Sequence, residues 1–372
     1  MRILMISTDR GILGENTEVR ARMRSYGALA GELHIVVFAR RPLKDTVQIA
    51  ENAWAHPTNS RNVLWYVWNG YGVAQRLLKT QGEWVISAQD PFLTGCLGWL
   101  LRVRFRKARL QLQVHTDIMS PYFARESFKN RIRVFLAKRL LRRADGIRVV
   151  SERIRRALTI YDPRLTAKMF VVPIFVDVKR FGRTAALVSM RERFPEFNHV
   201  VLMASRLTRE KNIPLAFRAF RDVIRRFPQT LLLVVGEGPE ENALRRMTHR
   251  LGLERNVRFE PWATDLGAYY RAADVFLLTS NYEGYGRTVI EAMASGVPVV
   301  MTDVGVAGDI VGQGKNGLVV PVGDVQALTT AVGVLLGDAK RRMSFAHAGK
   351  ASVLAFPDHR AYLAAYRASL RL

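Results

Sequence analysis

Short apolar runs recur along the chain, each separated from the next by a longer stretch in which apolar positions return at helical spacing. In the first half the runs fall at residues 3–6, 34–38, 84–87, 110–115, 146–150 and 170–173. In the second they fall at 200–204, 230–235, 257–259, 275–278 and 297–301. Runs of this kind alternating with helices predict parallel strands covered on both faces, hence an α/β chain. The rhythm restarts near residue 200, after a polar, charged stretch over 181–197 without strand character. The pattern therefore predicts two doubly wound, Rossmann-like domains, 1–183 and 184–356. A closing helix over 357–372 has Tyr362, Ala365 and Leu370 on a partly apolar side.

Length agrees with this division, because one core rarely serves 372 residues. The apolar runs fall short of the roughly 20 residues a membrane span needs, and residues 1–7 read as a first strand rather than a signal peptide. Cys96 is the only cysteine, which excludes an internal disulfide and a cysteine-based zinc site. A reducing, cytoplasmic setting is expected.

Charge changes the picture. The formal net charge is +25, and residues 101–156 alone carry 17 basic against 4 acidic side chains. Such a surface attracts polyanions, whether nucleic acid, an anionic membrane or a phosphorylated substrate; the alternative is a plain solvated basic face. Within it, residues 128–143 interleave Ile132, Val134, Phe135, Leu136, Leu140 and Leu141 with Lys129, Arg131, Arg133, Lys138, Arg139, Arg142 and Arg143. A basic amphipathic helix of this type packs its apolar side on the domain or lies on an anionic bilayer, and it can do both. The nucleic-acid alternative lacks zinc-finger spacing and an aromatic RNA-binding signature, so no nucleic acid is expected as partner.

Ligands of open parallel sheets bind beyond the carboxyl ends of the strands. After the run ending at residue 278 the chain reads Tyr282-Glu283-Gly284-Tyr285-Gly286-Arg287-Thr288-Val289-Ile290-Glu291-Ala292-Met293-Ala294-Ser295-Gly296-Val297-Pro298. Gly284 and Gly286 permit close backbone approach, and the free amides of a helix starting near Arg287 suit a phosphate. Glu283 and Glu291 flank that anion site, and carboxylates accept strong hydrogen bonds from sugar or ribose hydroxyls. Read alone, the same residues also fit a plain glycine turn with two solvent-facing glutamates.

Two glutamates seven apart, followed by Ala-Met-Ala-Ser-Gly-Val-Pro, resemble the signature of the retaining glycosyltransferases of family 4, enzymes of the two-domain GT-B type. Ser205-Arg206-Leu207-Thr208-Arg209-Glu210-Lys211 resembles that family's diphosphate-binding segment, with Arg206 and Lys211 as its basic pair. Gly236-Glu237-Gly238-Pro239 resembles its glycine loop, and Trp262 stands where the family contacts the nucleobase. His115, at the end of a first-half strand, resembles the family's histidine near the donor sugar.

The resemblance implies sugar transfer from a nucleotide diphosphate sugar, with retention and without a required metal or cofactor. Arg206, Lys211 and the amides near Gly286, Arg287 and Thr288 would hold the diphosphate. Glu283 would grip the sugar and Glu291 the ribose, while His115 would hydrogen-bond a hydroxyl or steady charge from the amino-terminal, acceptor-side domain. Gly236, Gly238, Gly284 and Tyr285 complete the expected donor site. Implied partners are a glycan or lipid-linked acceptor and the inner face of an anionic membrane, where the protein would be peripheral. The chain departs from the family at Gly11 and Gly14, which are spread apart, and at Ile174-Phe175, where Asn-Gly is usual. Asp90-Pro91-Phe92 reads either as part of the acceptor pocket or as a helix start. A sugar-nucleotide epimerase, a phosphorylase and a silent binding module are the alternatives on the same fold.

Overall fold

A computed structural model of the chain describes residues 1–40, 46–80, 82–183, 190–263 and 265–371. The chain divides into two compact units, Met1–Pro173 with His359–Leu372, and Ile174–Asp358. The second unit therefore takes in residues 174–183, upstream of the boundary read from sequence. The reason is packing: the Val178–Arg183 helix lies against the Arg287–Ala294 helix, and Phe181 meets Tyr270 edge-on at 5.9 Å. Part of the polar stretch expected to hold the break, 184–189, lies outside the described residues.

The first unit carries β1 (Arg2–Ser7), β2 (Glu32–Val37), β3 (Val47–Ala50), β4 (Ala53–Pro57), β5 (Trp84–Ala88), β6 (Arg109–Val114), β7 (Gly146–Val149) and β8 (Met169–Val171). Their spatial order is β3-β4-β2-β1-β5-β6-β7-β8. Only β3, paired with β4, runs antiparallel. The His359–Leu370 helix packs in this unit, where Tyr366 stacks on Tyr26 with ring centroids 4.4 Å apart and the Tyr26 and Tyr362 hydroxyls meet at 2.7 Å.

The second unit carries β9 (His199–Ala204), β10 (Thr230–Val235), β11 (Val257–Glu260), β12 (Val275–Leu278), β13 (Val299–Thr302) and β14 (Gly317–Val320), ordered β11-β10-β9-β12-β13-β14 and all parallel. Its core is sealed on one side by the Ile213–Arg226 helix, which buries Ile213, Ala216, Phe217, Phe220 and Val223 at helical spacing. Each of these side chains larger than alanine contributes roughly 1.5–3 kcal/mol on burial. This anchors the loop that precedes the helix. Strand order reverses between β9 and β12, so the loops after those two strands open at the switch point where doubly wound sheets bind ligands.

The Phe128–Arg143 helix departs from a simple inward stripe. Ala137, Leu140 and Leu141 are buried, but Phe128, Ile132 and Phe135 face solvent at 74%, 47% and 56% exposure, with Arg139 over the Phe135 ring. Among the described residues no helix is long and apolar enough to cross a membrane.

Candidate donor site

The loop after β9 descends through Arg206 to a short 3-10 turn, Arg209–Lys211, and then to Asn212 in the left-handed region at φ 44°. Asparagine tolerates that conformation, and it redirects the chain into the Ile213–Arg226 helix. Asn212 Nδ2 donates to Asn281 Oδ1 at 2.9 Å, the amide of Asn281 donates to the Glu210 carbonyl at 2.8 Å, and Thr279 Oγ1 donates to the Lys211 carbonyl at 2.9 Å. These bonds lace the loop after β9 to the loop after β12.

Their product is a pairing of Lys211 with Glu283. The ammonium donates to Glu283 Oε1, which also accepts from Ser280 Oγ at 2.8 Å, and the two charged side chains are only 15% and 13% exposed. Three donors leave an ammonium two for oxygen ligands after this contact. Glu283 Oε2 has no partner among the described residues. The site thus presents two donors and one free carboxylate oxygen from a fixed base.

Arg206 stands apart from that pair. Its guanidinium is 75% exposed and reaches Glu210 Oε1 at 3.2 Å, while Thr208 Oγ1 donates to the same oxygen at 2.7 Å. The two members of the basic pair are therefore differently placed: Lys211 is held, and Arg206 is tethered at the surface.

Gly286 caps the Arg287–Ala294 helix at φ 103°, without a side-chain cap, and the amides of Arg287 and Thr288 have no acceptor among the described residues. Backbone donors at a helix start favour an anion. Inside the helix Glu291 is 6% exposed; Tyr270 donates to its Oε2 at 3.0 Å and Arg287 reaches Oε1 at 3.4 Å. A solvent-facing role for the two glutamates is excluded by this burial. Burial beside Glu291 in turn pushes the Tyr270 phenol well up.

Other expected residues serve the framework. A Cβ on Gly236, at φ 154°, would fall 1.8 Å from the Ser205 carbonyl oxygen, and one on Gly238 would fall 2.4 Å from that of Leu207. These glycines let the loop after β10 press against the basic loop, whatever ligand is present. Gly284 is buried, and Tyr285 is 4% exposed, so its ring belongs to the interior and its phenol is pushed up by burial. Trp262 is 46% exposed.

Sequence reading missed Gly305, whose φ is 56° and whose added Cβ would meet the Tyr285 oxygen at 2.4 Å and Glu283 Cβ at 3.0 Å. It sets the height of the Glu283 loop. The run Gly305-Val306-Ala307-Gly308 after the last strand of the signature was the signal available. Glu210, which orients Arg206, was also passed over, though it lies inside the basic segment.

In the first unit, His115 directly follows β6. Burial, with the charges of Arg148 and Arg22 added, pushes its imidazole down to about 3, so it is neutral at physiological pH. It can accept or donate a hydrogen bond, but it supplies no positive charge. Asp90 does not cap the Leu93–Arg104 helix; its Oδ1 accepts at 2.7 Å from the amide of Phe92, the residue that itself holds the cap position.

A family model described as glycosyl transferases group 1 matches residues 189–352. A GDP-mannose-dependent alpha-(1-6)-phosphatidylinositol monomannoside mannosyltransferase of Mycolicibacterium smegmatis is 37% identical over 231 residues, covering 58% of this chain and 60% of that protein. A D-inositol 3-phosphate glycosyltransferase of Corynebacterium jeikeium is 30% identical over 286 residues, covering 70% and 67%. The matches to several curated relatives span about half to three fifths of those proteins' length. Among solved structures, sucrose-phosphate synthase from Thermosynechococcus elongatus superposes with a TM-score of 0.80 at 21% identity over 98% of this chain and 97% of that one. Anabaena HepE, crystallised with UDP and glucose, gives 0.77 at 22% identity over 100% and 99%. The family model falls in the motif-bearing unit, the C. jeikeium relative matches 70% of the chain and the fold likeness extends over 98% of it; the chain belongs to the group 1 glycosyltransferases, of the family-4, GT-B type.

Proposed function

We propose that the chain transfers a sugar from a nucleotide diphosphate sugar to a lipid-linked or glycan acceptor, with retention at the anomeric carbon and without a metal. The observation that carries this reading is the Lys211–Glu283 pair beside the uncapped Arg287–Ala294 helix. The anomeric bond to the diphosphate breaks, a bond to the acceptor oxygen forms, and the acceptor's proton leaves with the phosphate. Negative charge grows on the departing diphosphate, where the two remaining donors of Lys211, the amides of Arg287 and Thr288 and the exposed guanidinium of Arg206 lower its energy. Glu283 Oε2 accepts from a sugar hydroxyl. Glu291, steadied by Tyr270, accepts from the ribose, and the half-exposed Trp262 offers a platform for the base.

The M. smegmatis relative is named for GDP-mannose and a phosphatidylinositol mannoside. A GDP-sugar therefore heads a panel that also includes UDP- and ADP-sugars. A ligand at a hundredfold its Kd stabilises by about 2.7 kcal/mol, so the matching donor raises the melting temperature of the wild type and much less that of Lys211→Met. Stabilisation by none of the panel, or equal stabilisation of both proteins, overturns the donor site. An inverted anomer in the product, read by NMR, overturns retention.

The acceptor reading draws on the Phe128–Arg143 helix, which carries seven basic and no acidic residues and exposes Phe128, Ile132 and Phe135. Cations near an anionic bilayer contribute about 1 kcal/mol each, and the exposed apolar side chains add burial at the lipid boundary. We place the protein at the cytoplasmic face of the membrane on this ground. Co-sedimentation with anionic but not neutral vesicles is expected; binding to neither removes the membrane from the proposal.

A further inference from the structure

Gln113, on β6, has both ends of its amide committed. Arg148 Nη1 donates to Oε1 at 2.8 Å, while Nε2 donates to Ser87 Oγ at 2.8 Å and to the Tyr366 hydroxyl at 3.0 Å. A guanidinium can only donate, so the atom facing Arg148 is the oxygen; a flipped amide would set two donors against each other in a buried place. Arg148 is itself immovable. It is 2% exposed, its Nε donates to the Val172 carbonyl at 3.1 Å and its Nη2 to the Pro173 carbonyl at 3.0 Å, and its guanidinium lies 4.7 Å from the Tyr366 ring centre.

The same Gln113 Oε1 lies 3.0 Å from His115 Nε2. An amide oxygen accepts only, so the proton of the neutral imidazole sits on Nε2. Nδ1 is then left as a bare acceptor, with no partner among the described residues. We propose that Gln113 and Arg148 are positioning residues that lock His115 in its Nε2–H tautomer and thereby present Nδ1 to a substrate hydroxyl as a hydrogen-bond acceptor. The use of Nδ1 by substrate rests on the transfer reading above; the tautomer does not. Two cations face the ring, Arg148 from β7 and Arg22 from the Glu18–Gly27 helix, and both oppose its protonation.

The test uses the full chain with 15N-labelled histidine and long-range proton–nitrogen correlation spectra, the His115 signals being assigned by their loss in His115→Asn. The wild type is expected to show the Nε2–H pattern unchanged between pH 8 and pH 5. Gln113→Leu removes the acceptor, so the pattern shifts towards a tautomer mixture, and kcat falls about tenfold with the donor KM little altered, the loss of one oriented hydrogen bond. Gln113→Glu keeps an acceptor against both Arg148 and His115, restores the Nε2–H pattern and recovers most of kcat even if the leucine variant folds poorly. A wild-type Nδ1–H pattern, an imidazolium at pH 7, or a Gln113→Leu protein with unchanged spectra and kcat overturns the proposal. Full turnover in His115→Ala alongside a wild-type Nε2–H pattern removes the substrate contact and leaves the tautomer assignment standing.

Discussion

Lys211 and Glu283 lie 72 positions apart in sequence, yet the ammonium of one donates to the carboxylate of the other at the point where the second sheet reverses its strand order. Each arrives on a different loop, and the two loops are laced together by hydrogen bonds from the Asn281 amide and the Thr279 hydroxyl to the Glu210 and Lys211 carbonyls. The pair is therefore a product of topology, and it ties stability to chemistry in one contact.

Replacing Lys211 by Met leaves the Glu283 carboxylate mostly buried with Ser280 as its remaining partner. The expected cost is roughly 3 kcal/mol, with loss of turnover of about a hundredfold or more. Adding Glu283→Gln to that variant removes the stranded charge, so stability recovers while turnover does not. Thermal unfolding and initial rates on the two proteins check this; recovery of both together would assign the pair a purely structural role.

Gly236→Ala and Gly305→Ala press a methyl into backbone oxygens at positions of positive φ. Each is expected to destabilise the second unit by about 1–3 kcal/mol and to weaken nucleotide binding, because the displaced loops are those carrying Arg206 and Glu283. Melting curves with and without the donor nucleotide measure both effects.

Acid sensitivity follows from buried histidines. Burial, His34 and Arg76 push His56 down to about 4, and burial leads the causes that hold His115 at about 3; His34, beside Glu32 and Arg2, is also lowered by burial. Below the ordinary value of 6.5 the unfolded chain binds protons that the folded chain refuses. Stability is thus full above pH 6.5 and falls as pH drops from there towards 4. Urea midpoints measured between pH 7.5 and pH 4.5 should decline, and His56→Gln should flatten the decline.

Ile132→Ser with Phe135→Ser strips two exposed apolar groups from the basic helix without touching its buried face. Anionic vesicle binding is expected to fall by about a hundredfold or more, since each such side chain is worth roughly 1.5–3 kcal/mol when buried. Stabilisation by the donor nucleotide is expected to stay at the wild-type level. Equal loss of both would place the helix in the folding of the unit instead.

Most strands that pair in parallel were legible because they are buried on both faces and read as plain apolar runs. β4 was not, since Ala53-Trp54-Ala55-His56-Pro57 alternates alanine with large ring side chains and ends in proline, and β3 exists only through its pairing with β4. β14 opens on Gly317 after a polar turn and was equally silent. In the site, residue types at motif spacing pointed to Glu283, Glu291 and Lys211, but the direct contact between Lys211 and Glu283 depends on two loops meeting, which no local pattern encodes. The buried Gln113 and Arg148 were not singled out, because a satisfied polar network leaves no periodic signal.

The His359–Leu370 helix gives the first unit a history as well as a shape. Tyr362 and Tyr366, which cover Tyr26 and the Arg148 guanidinium, are synthesised only after the whole of Ile174–Asp358. On the ribosome the contiguous second unit can close first, while the earlier-made first unit waits with a charged strand uncovered. The first unit therefore cannot complete its packing until the whole of the second has been made, and a chain cut short before residue 359 loses the lid of its older half.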